Sequence, residues 1–267
     1  MNKKMTEFVI YKGAWIRKSY PHLSSRIENE DACACLSKGG LFLRNIYNFD
    51  KADSRSYWYV IKDSFGGIPE LPSKVRNQVR KSLNTYDFKR VSKIEMQEVG
   101  LALFNKSRER FHDKSLFSDQ EAWNMRLEHE NLEFWIGYSK VDNTPVAFAI
   151  NSVYEDYCDY NTMGISPNVP NNTYPMYGLI YEMNRYYLEE LQLKYVLDGA
   201  RSITEHSNIQ SFLEDKFKFR KAYCDLQLFY KPWLGVLIKC LFPFRGIIKE
   251  RRLKALLNQE AMYRGIK

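Results

Sequence analysis

The sequence predicts an α/β (α+β) protein with a mixed, mostly antiparallel central sheet flanked by helices. Short aromatic and β-branched runs, typical of strands, are interleaved with longer segments whose apolar residues recur at helical spacing. Hydrophobic residues make up 45% of the 267 residues, which is enough for a sizeable core. Together with the 15% of aromatic residues, this value excludes an intrinsically disordered chain.

Residues 1–72 are expected to form an N-terminal, strand-rich extension. Gly, Asn, Asp and Ser separate three apolar or aromatic runs, at residues 8–15, 41–47 and 57–61, and each run predicts a strand. The segment DSFGGIPELPS, residues 63–73, is rich in turn formers. We place a domain boundary there, so that the next domain covers residues 73–231.

The first part of this domain is expected to be helical. Ser73 is a predicted N-cap for a helix with apolar residues on one face and Lys and Arg on the other. A solvated basic surface is the simplest interpretation of that second face. Residues 94–111 have a second helical pattern, and residues 119–130 have a third.

The remaining elements of the domain alternate in type. An Asp-Asn pair and a proline within residues 140–145 suit a hairpin connection, and Pro175 is a favourable first helical residue. Ser207 and Gln210 match a capping box. The expected elements are strands at 133–138, 146–154 and 158–164, a helix at 175–191, a strand at 195–197, a short helix after Ser207 and a closing strand at 221–230.

Residues 232–267 are expected to form a basic, amphipathic helical tail. An apolar stretch at 233–244 precedes a segment rich in Arg and Lys that keeps leucines at helical spacing. Two interpretations are open: the tail packs on the core or on a second copy of the chain, or it lies on anionic lipid. The apolar stretch is much shorter than the roughly 20 residues that a spanning helix needs.

The order of elements over roughly residues 86–230 resembles the core of the GNAT acyltransferases. NTPVAFAI, residues 143–150, is similar to the family's hairpin into its second core strand. YVLDGARSITEHSNIQSFLEDKFKFRKAYCDLQLFY, residues 195–230, resembles the end of Fem-like, peptidyltransferase-related GNAT domains. The resemblance implies acyl transfer at the point where two central strands separate, with backbone N–H groups of residues 160–163 polarising the acyl carbonyl.

The same resemblance makes acyl-CoA a candidate donor. The family's acyl-CoA loop usually reads Q/R-x-x-G-x-G/A, whereas residues 168–177 of this chain contain two prolines and no glycine. N–H groups at the following helix start can still bind a phosphate. The residues expected to hold the donor are Tyr174, Met176, Tyr177, Gly178, Arg201 and Asn208.

Fem-like relatives use other carriers, such as aminoacyl-tRNA, which the resemblance therefore admits as a second class of donor. LPSKVRNQVRKSL, residues 71–83, is similar to a basic helical element that those proteins have early in the chain.

The polar cluster DGARSITEH, residues 198–206, supplies candidate catalytic residues. It follows a predicted buried strand and precedes a helix, where open α/β sheets bind ligands. Asp198 or Glu205 can accept a proton, His206 can exchange one near neutral pH, and Arg201 can hold a phosphate or carboxylate. Tyr160 is a candidate proton donor to the leaving group. The alternative for each is structural: loop hydrogen bonds, a solvated helix start, or packing.

Composition and the absence of certain motifs restrict the classes of partner and the cellular compartment that we expect. The chain has no HExxH, no CxxC pair and no Asp-rich loop, so we expect no metal. Its net charge of +8 includes no dense basic run, which argues against sequence-specific binding of nucleic acid. The five cysteines form no CxxC pair and their number is odd, which predicts reduced thiols. The N-terminal residues contain no apolar segment typical of a signal peptide, so we expect a cytoplasmic protein.

The sequence thus predicts an N-acyltransferase that moves an acyl group from acyl-CoA or another activated carrier to an amine. The expected acceptor is a small-molecule or lipid-linked amine, and the tail is a candidate site for peripheral membrane contact or homo-oligomer formation. A catalytically silent GNAT-like binding module is the alternative, because the glycine-rich cradle is absent.

Overall fold

A computed structural model describes residues 7–11, 13–18, 20–51, 57–109, 117–201 and 209–266. The chain divides into two compact units that interleave along the sequence. The first consists of Met1–Tyr59, Ala200–Asn208 and Lys221–Lys267. The second consists of Val60–Gly199 and Ile209–Arg220.

The described residues form strands and α-helices in alternation. The strands are β1 (Phe8–Tyr11), β2 (Ala14–Arg17), β3 (Phe42–Tyr47), β4 (Tyr57–Lys62), β5 (Tyr86–Val91), β6 (Leu132–Ser139), β7 (Pro145–Val153), β8 (Tyr157–Ile165), β9 (Tyr195–Ala200) and β10 (Arg220–Tyr230). The helices are α1 (Asn29–Ser37), α2 (Ser73–Thr85), α3 (Lys93–Arg108), α4 (Gln120–Arg126), α5 (Pro175–Asn184), α6 (Ile209–Phe217), α7 (Pro232–Leu241) and α8 (Arg251–Tyr263).

In the first unit, the N-terminal strands pair with the strand that follows α6. The order is β1-β2-β3-β10, with β2 and β3 parallel and the other two pairings antiparallel. Because side chains alternate across a strand, Leu43 packs with Ala32 and Leu36 of α1, whereas Phe42 packs with Leu234 of α7 and the helix α8. Helices therefore cover both faces of this part of the sheet.

In the second unit, the strand order is β9-β8-β7-β6-β5. Strands β5 to β8 are antiparallel, and β9 joins β8 in parallel. The hairpin between β6 and β7 turns at Asn143, whose φ of 56° lies in the left-handed region that asparagine tolerates. This hairpin is where the Asp-Asn pair predicts it.

The two faces of this sheet are covered by different helices. Ile136 and Phe148 face α3 and α4 and pack in a core with Phe104 and Trp123. The alternate residues face the other way, where Trp135 contacts Tyr187 in the segment that continues α5. The prediction of a mixed, mostly antiparallel sheet flanked by helices is confirmed.

Several local predictions need correction. Ser73 is the first residue of α2 rather than its N-cap, since Pro72 occupies the cap and no side chain caps the helix. The run at residues 8–15 forms two strands, because the chain turns at Gly13 with a φ of 83°. Helix α1 and strand β5 were not predicted. The capping box at Ser207 lies outside the described residues.

Candidate functional site

Strands β8 and β9 pair at one end and then separate. Their parallel pairing comprises Tyr157↔Tyr195, Cys158↔Val196 and Asp159↔Leu197, whereas β8 continues to Ile165. Beyond Asp159, β8 remains paired with β7 on its other edge. An opening between two central strands therefore begins at Asp159.

The paired end of β8 and β9 is fixed by aromatic stacking and an ion pair. The ring of Tyr157 stacks on those of Tyr154 and Tyr195, with centroids 4.7 and 5.2 Å away. Next to this stack, the Lys194 Nζ lies 2.8 Å from the Asp156 carboxylate. These contacts hold the two strands together at one end, so the strands separate at a defined position.

A β-bulge lies in β8 immediately after Asp159. Ser152 of β7 pairs with Asp159 and Ile150 pairs with Thr162, so β8 has one residue more than β7 between the two pairs. A bulge leaves one residue outside the ladder of hydrogen bonds and re-aims the backbone. Backbone groups of β8 thus depart from regular pairing within the range 160–163, where the sequence predicts carbonyl-polarising N–H groups.

Two aspartates lie where the strands separate. Asp159 is the last residue of β8 that pairs with β9, and Asp198 follows the last paired residue of β9. Removal from water raises the pKa of the Asp159 carboxyl to about 7. Removal from water, followed by the charge of Asp159, raises the pKa of Asp198 to about 8. Both groups can exchange a proton near neutral pH.

The helix α6 contacts the end of β9 beside a glycine. Gln210 Nε2 donates a hydrogen bond of 3.0 Å to the backbone carbonyl of Asp198. The next residue, Gly199, has a φ of 68°, a conformation that other residues rarely adopt. The hydrogen bond therefore holds the Asp198 carbonyl, and the glycine permits the change of backbone direction that follows it.

A buried polar network lies on the face of β6, β7 and β8 that is covered by α5. Trp135 Nε1 and Asn151 Nδ2 donate to the Tyr187 hydroxyl at 2.9 and 3.2 Å, and this hydroxyl donates to the Glu133 carboxylate at 3.1 Å. Tyr187 belongs to a π-helical segment, Arg185–Glu190, that continues α5. Such segments are rare and often mark functional sites.

Tyr160 takes part in a second buried hydrogen bond on this face. Its hydroxyl donates to Asn184 Oδ1 at 2.9 Å, and the side chain is 3% exposed. Burial first, and then the charges of Cys158 and Asp198, raise the pKa of Tyr160 well above its ordinary value. This geometry favours the structural interpretation of Tyr160, while its role as a proton donor stays a prediction.

The start of α5 does not match a pyrophosphate cradle. Tyr174 caps it in the left-handed conformation, Pro175 supplies no N–H, and the Tyr177 N–H donates to the Tyr174 carbonyl at 2.9 Å. The expectation that Tyr177 offers a free N–H is therefore wrong. Its ring packs against Phe212 of α6, and Met176 beside it is half-buried. Acyl-CoA would have to bind here without a glycine-rich loop.

Gly178 is required by packing. A Cβ at this position would lie 2.3 Å from Cε2 of Phe88 and 2.4 Å from Oγ of Ser82. Since contacts this short do not occur between real atoms, the glycine lets α5 approach β5 and α2. Its buried position gives it no surface toward a ligand.

The remaining predicted site residues are divided between the units and the undescribed part of the chain. Arg201 belongs to the first unit, where its N–H donates to the Trp58 carbonyl and its guanidinium lies 4.3 Å above the Trp58 ring. Glu205, His206 and Asn208 lie outside the described residues. Asp198 and Tyr160 are thus the predicted catalytic residues that the structure places near each other.

Sequence reasoning missed Asp159. The signal that could have found it is an aspartate inside CDYN, within a run otherwise suited to a buried strand. A charged residue in such a run is costly to bury and needs a reason. Its neighbour across the opening, Asp198, could not be identified without knowing that β8 and β9 are adjacent.

Other features of the described ranges do not add to this site. A surface cleft of about 500 Å³ lies at β5 and β6, at the far end of the strand order, and its charged residues form the pairs Arg90–Glu133 and Lys93–Glu128. In the described ranges, no three His, Cys, Asp or Glu side chains are grouped to hold a metal ion. The expectation of a metal-free site stays a prediction.

Comparisons with known proteins relate the chain to solved structures through its fold. No protein-family model matches the sequence, and no curated protein matches it. The C-terminal domain assigned to a lysylphosphatidylglycerol synthetase from Agrobacterium fabrum superposes with a TM-score of 0.56 at 12% identity, over 88% of this chain and 84% of that chain. L-PGS from Bacillus licheniformis superposes with a TM-score of 0.54 at 14% identity, over 96% of this chain and 84% of that chain. FemX superposes with a TM-score of 0.53 at 11% identity, over 85% of this chain and 73% of that chain.

These similarities confirm the predicted fold, which this chain shares with the three solved structures. At such low identity they show the fold and leave the chemistry to be argued from the site. All five cysteines are free thiols. Within the described part of the chain, no helix has both the length and the apolar character needed to cross a membrane.

Proposed function

We propose that the second unit is an N-acyltransferase that moves an acyl group from an activated carrier to an amine. The observation that carries the proposal is the opening between β8 and β9, with Asp159 and Asp198 at its start. The fold, shared with FemX and L-PGS, supports an acyl or aminoacyl transfer. Such a transfer requires that the reactants are positioned and that protons are moved, which side chains and backbone groups can do.

The two carboxyls suit the two proton transfers of this reaction. With a pKa of about 7, Asp159 is substantially ionised at neutral pH and can accept the proton that the attacking amine loses. With a pKa of about 8, Asp198 is mostly protonated and can donate to the leaving oxygen or sulfur. A C–N bond forms, the C–O or C–S bond to the carrier breaks, and one proton enters the site as another leaves.

The bulge in β8 suits stabilisation of the acyl carbonyl. Acyl transfer develops negative charge on that oxygen, and an N–H group freed from strand pairing is an effective donor to it. The bulge follows Asp159 directly, so the carbonyl and the amine would lie side by side. This arrangement is in keeping with the sequence-based expectation for residues 160–163.

The donor is proposed as an activated acyl ester or thioester. Acyl-CoA remains a candidate, but the start of α5 lacks the glycines that admit a pyrophosphate, so an aminoacyl ester carrier such as aminoacyl-tRNA is the second candidate. A small-molecule or lipid-linked amine is the proposed acceptor. The closed start of α5 also favours a second candidate function, a catalytically silent binding module.

A donor and acceptor panel separates these functions. The full chain is incubated with acetyl-CoA, longer acyl-CoAs or aminoacyl-tRNA, each with simple amines and amine-bearing lipids, and N-acylated products are sought by mass spectrometry. Binding is measured in parallel as a shift in Tm. A product that Asp159→Asn abolishes supports the transferase. Saturable binding without product from any donor would identify a silent module, and neither binding nor product would refute both.

A further inference from the structure

The tail has an apolar surface that its packing leaves exposed. The inner face of α7 is buried, with Leu234 and Ile238 packed against Phe42 of β3 and Leu257 of α8. The outer face presents Trp233 and Val236, which are 58% and 62% exposed. Helix α7 is therefore apolar on two sides, although a helix that only covers a core needs one apolar face.

This outer surface continues beyond α7. The residues that form it, called here the tail surface, are Trp233, Val236, Leu237, Cys240, Phe244 and Ile247, and all are exposed. The first four recur at intervals of three or four residues, which places them on one side of α7. Ile247 is 75% exposed, so its side chain stands well clear of the unit. Large apolar side chains exposed together within a short segment mark an interaction site.

Positive charge is concentrated around the tail surface. Residues 232–267 contain eight Lys and Arg and two Glu, a net charge of +6 out of the +8 of the whole chain. Lys239 and Lys249, in and just after the tail surface, are exposed. An apolar surface flanked by Lys and Arg is typical of helices that lie in the interface of an anionic bilayer.

The two glutamates of the tail have structural roles within the first unit. Glu250 caps α8 and accepts hydrogen bonds from the N–H groups of Arg252 and Leu253. Glu260 is buried, where it accepts from the Tyr230 hydroxyl at 2.8 Å and pairs with Arg264. Glu250 is exposed beside Lys249 and keeps its negative charge, but the tail still has a net positive charge after both glutamates are counted.

We propose that the tail surface docks the protein on an anionic lipid bilayer. Trp233, Phe244 and Ile247 insert at the boundary between headgroups and acyl chains, while Lys239 and Lys249 meet the anionic headgroups. The charge complementarity favours lipid over a second copy of the chain, because two copies would bring two surfaces of the same sign together. The docking is peripheral and reversible, and it is distinct from the proposed transfer chemistry.

Vesicle flotation of the full chain tests this proposal. The protein should float with vesicles of phosphatidylcholine and phosphatidylglycerol, and much less with phosphatidylcholine alone or at high salt, which screens the lysines. Trp233→Ser with Phe244→Ser should abolish flotation. The matched control, Ile94→Ser with Val141→Ser, replaces apolar residues that are 67% and 93% exposed in the second unit and should float like the native chain.

A charge series gives an independent readout. Lys239→Gln with Lys249→Gln should weaken binding to anionic vesicles roughly thirtyfold, as expected for the loss of two cations near the membrane surface. Lys74→Gln with Lys81→Gln, on the exposed face of α2, is the matched control and should change it little. Far-ultraviolet circular dichroism checks that all variants are folded.

Four results would overturn the proposal. The native chain could stay unbound to anionic vesicles, or it could float equally with neutral ones. The Trp233 and Phe244 double variant could bind like the native chain. A dimer that forms without lipid and is lost in that double variant, seen by analytical ultracentrifugation, would instead assign the tail surface to a second copy of the chain.

Discussion

The charge of Asp159 helps to raise the pKa of Asp198 to about 8. The two residues come from adjacent strands and lie where β8 and β9 stop pairing. Carboxyls coupled in this way lose their protons in sequence, so the pair has a range of pH in which one is ionised and the other is not. This property underlies the first two predictions.

The rate of acyl transfer should have a bell-shaped dependence on pH. Activity should rise as Asp159 ionises near pH 7 and fall as Asp198 loses its proton near pH 8, so the maximum lies between these values. Asp159→Asn should lower kcat roughly 10²–10⁴-fold and remove the acidic limb. The measurement is kcat/KM against pH with the donor and acceptor found in the panel. Asp215→Asn, at an exposed site on α6, should leave the profile unchanged. A rate that rises steadily through pH 9 would contradict the assignment of Asp198 as an acid.

The contribution of Asp159 and Asp198 to the stability of the fold should fall as the pH rises from about 4 to about 8. Both folded-state pKa values are raised above the ordinary value of 3.8, so the native state binds protons in this range that the unfolded state has released. The favourable contribution is complete below about pH 4 and is lost through about pH 8. Asp159→Asn and Asp198→Asn should therefore raise Tm relative to the native chain at pH 8.5 and have little effect at pH 4.5, as thermal unfolding will show. A Tm difference that does not change with pH would mean that the carboxyls are well solvated.

Replacing Gly178 should destabilise the second unit. Gly178→Ala places a Cβ against Phe88 and Ser82, which overpacks the contact and costs about 1–3 kcal/mol. Gly235→Ala in α7 is the matched control, because its Cβ would meet only Tyr230 Cβ at 3.6 Å. That change should stabilise by about 0.5–1 kcal/mol through helix propensity. Urea denaturation measures both. Equal effects would show that α5 does not approach β5 this closely.

Removing the charge of Glu70 should lower the free energy of unfolding more than removing the charge of its partner, Lys62. Lys62 is 2% exposed and its Nζ lies 2.9 Å from the Glu70 carboxylate. Glu70→Gln leaves a buried ammonium without its counterion and should lower the free energy of unfolding by up to about 3–5 kcal/mol, whereas Lys62→Met should cost less. The neighbouring pair Arg220–Asp63 is exposed, so Asp63→Asn should change stability by about 0–1 kcal/mol. Urea denaturation that ranks Lys62→Met as the more damaging change would contradict this view.

Local signals in the sequence accounted for much of the second unit. Periodicity of two and turn chemistry identified β6, β7 and β8, and Pro175 correctly marked the start of α5. Strand β5 was missed because its apolar residues, Tyr86 and Phe88, alternate with charged ones directly after a helix, without a turn signal between. The two aspartates differ in how visible they are in the sequence: Asp198 belongs to a polar cluster, although the strand β9 extends into that cluster, while Asp159 was hidden inside a strand.

The sequence by itself determined which segments are strands and helices in the central region, because hydrophobic period, proline and turn residues act over a few neighbouring positions. It also determined the basic, apolar character of the tail. Only the tertiary structure decided that residues near the N-terminus share a unit with the tail, and that β8 lies beside β9 and separates from it at Asp159. These relationships depend on contacts between residues far apart in the chain, whose burial and charge coupling no local pattern encodes.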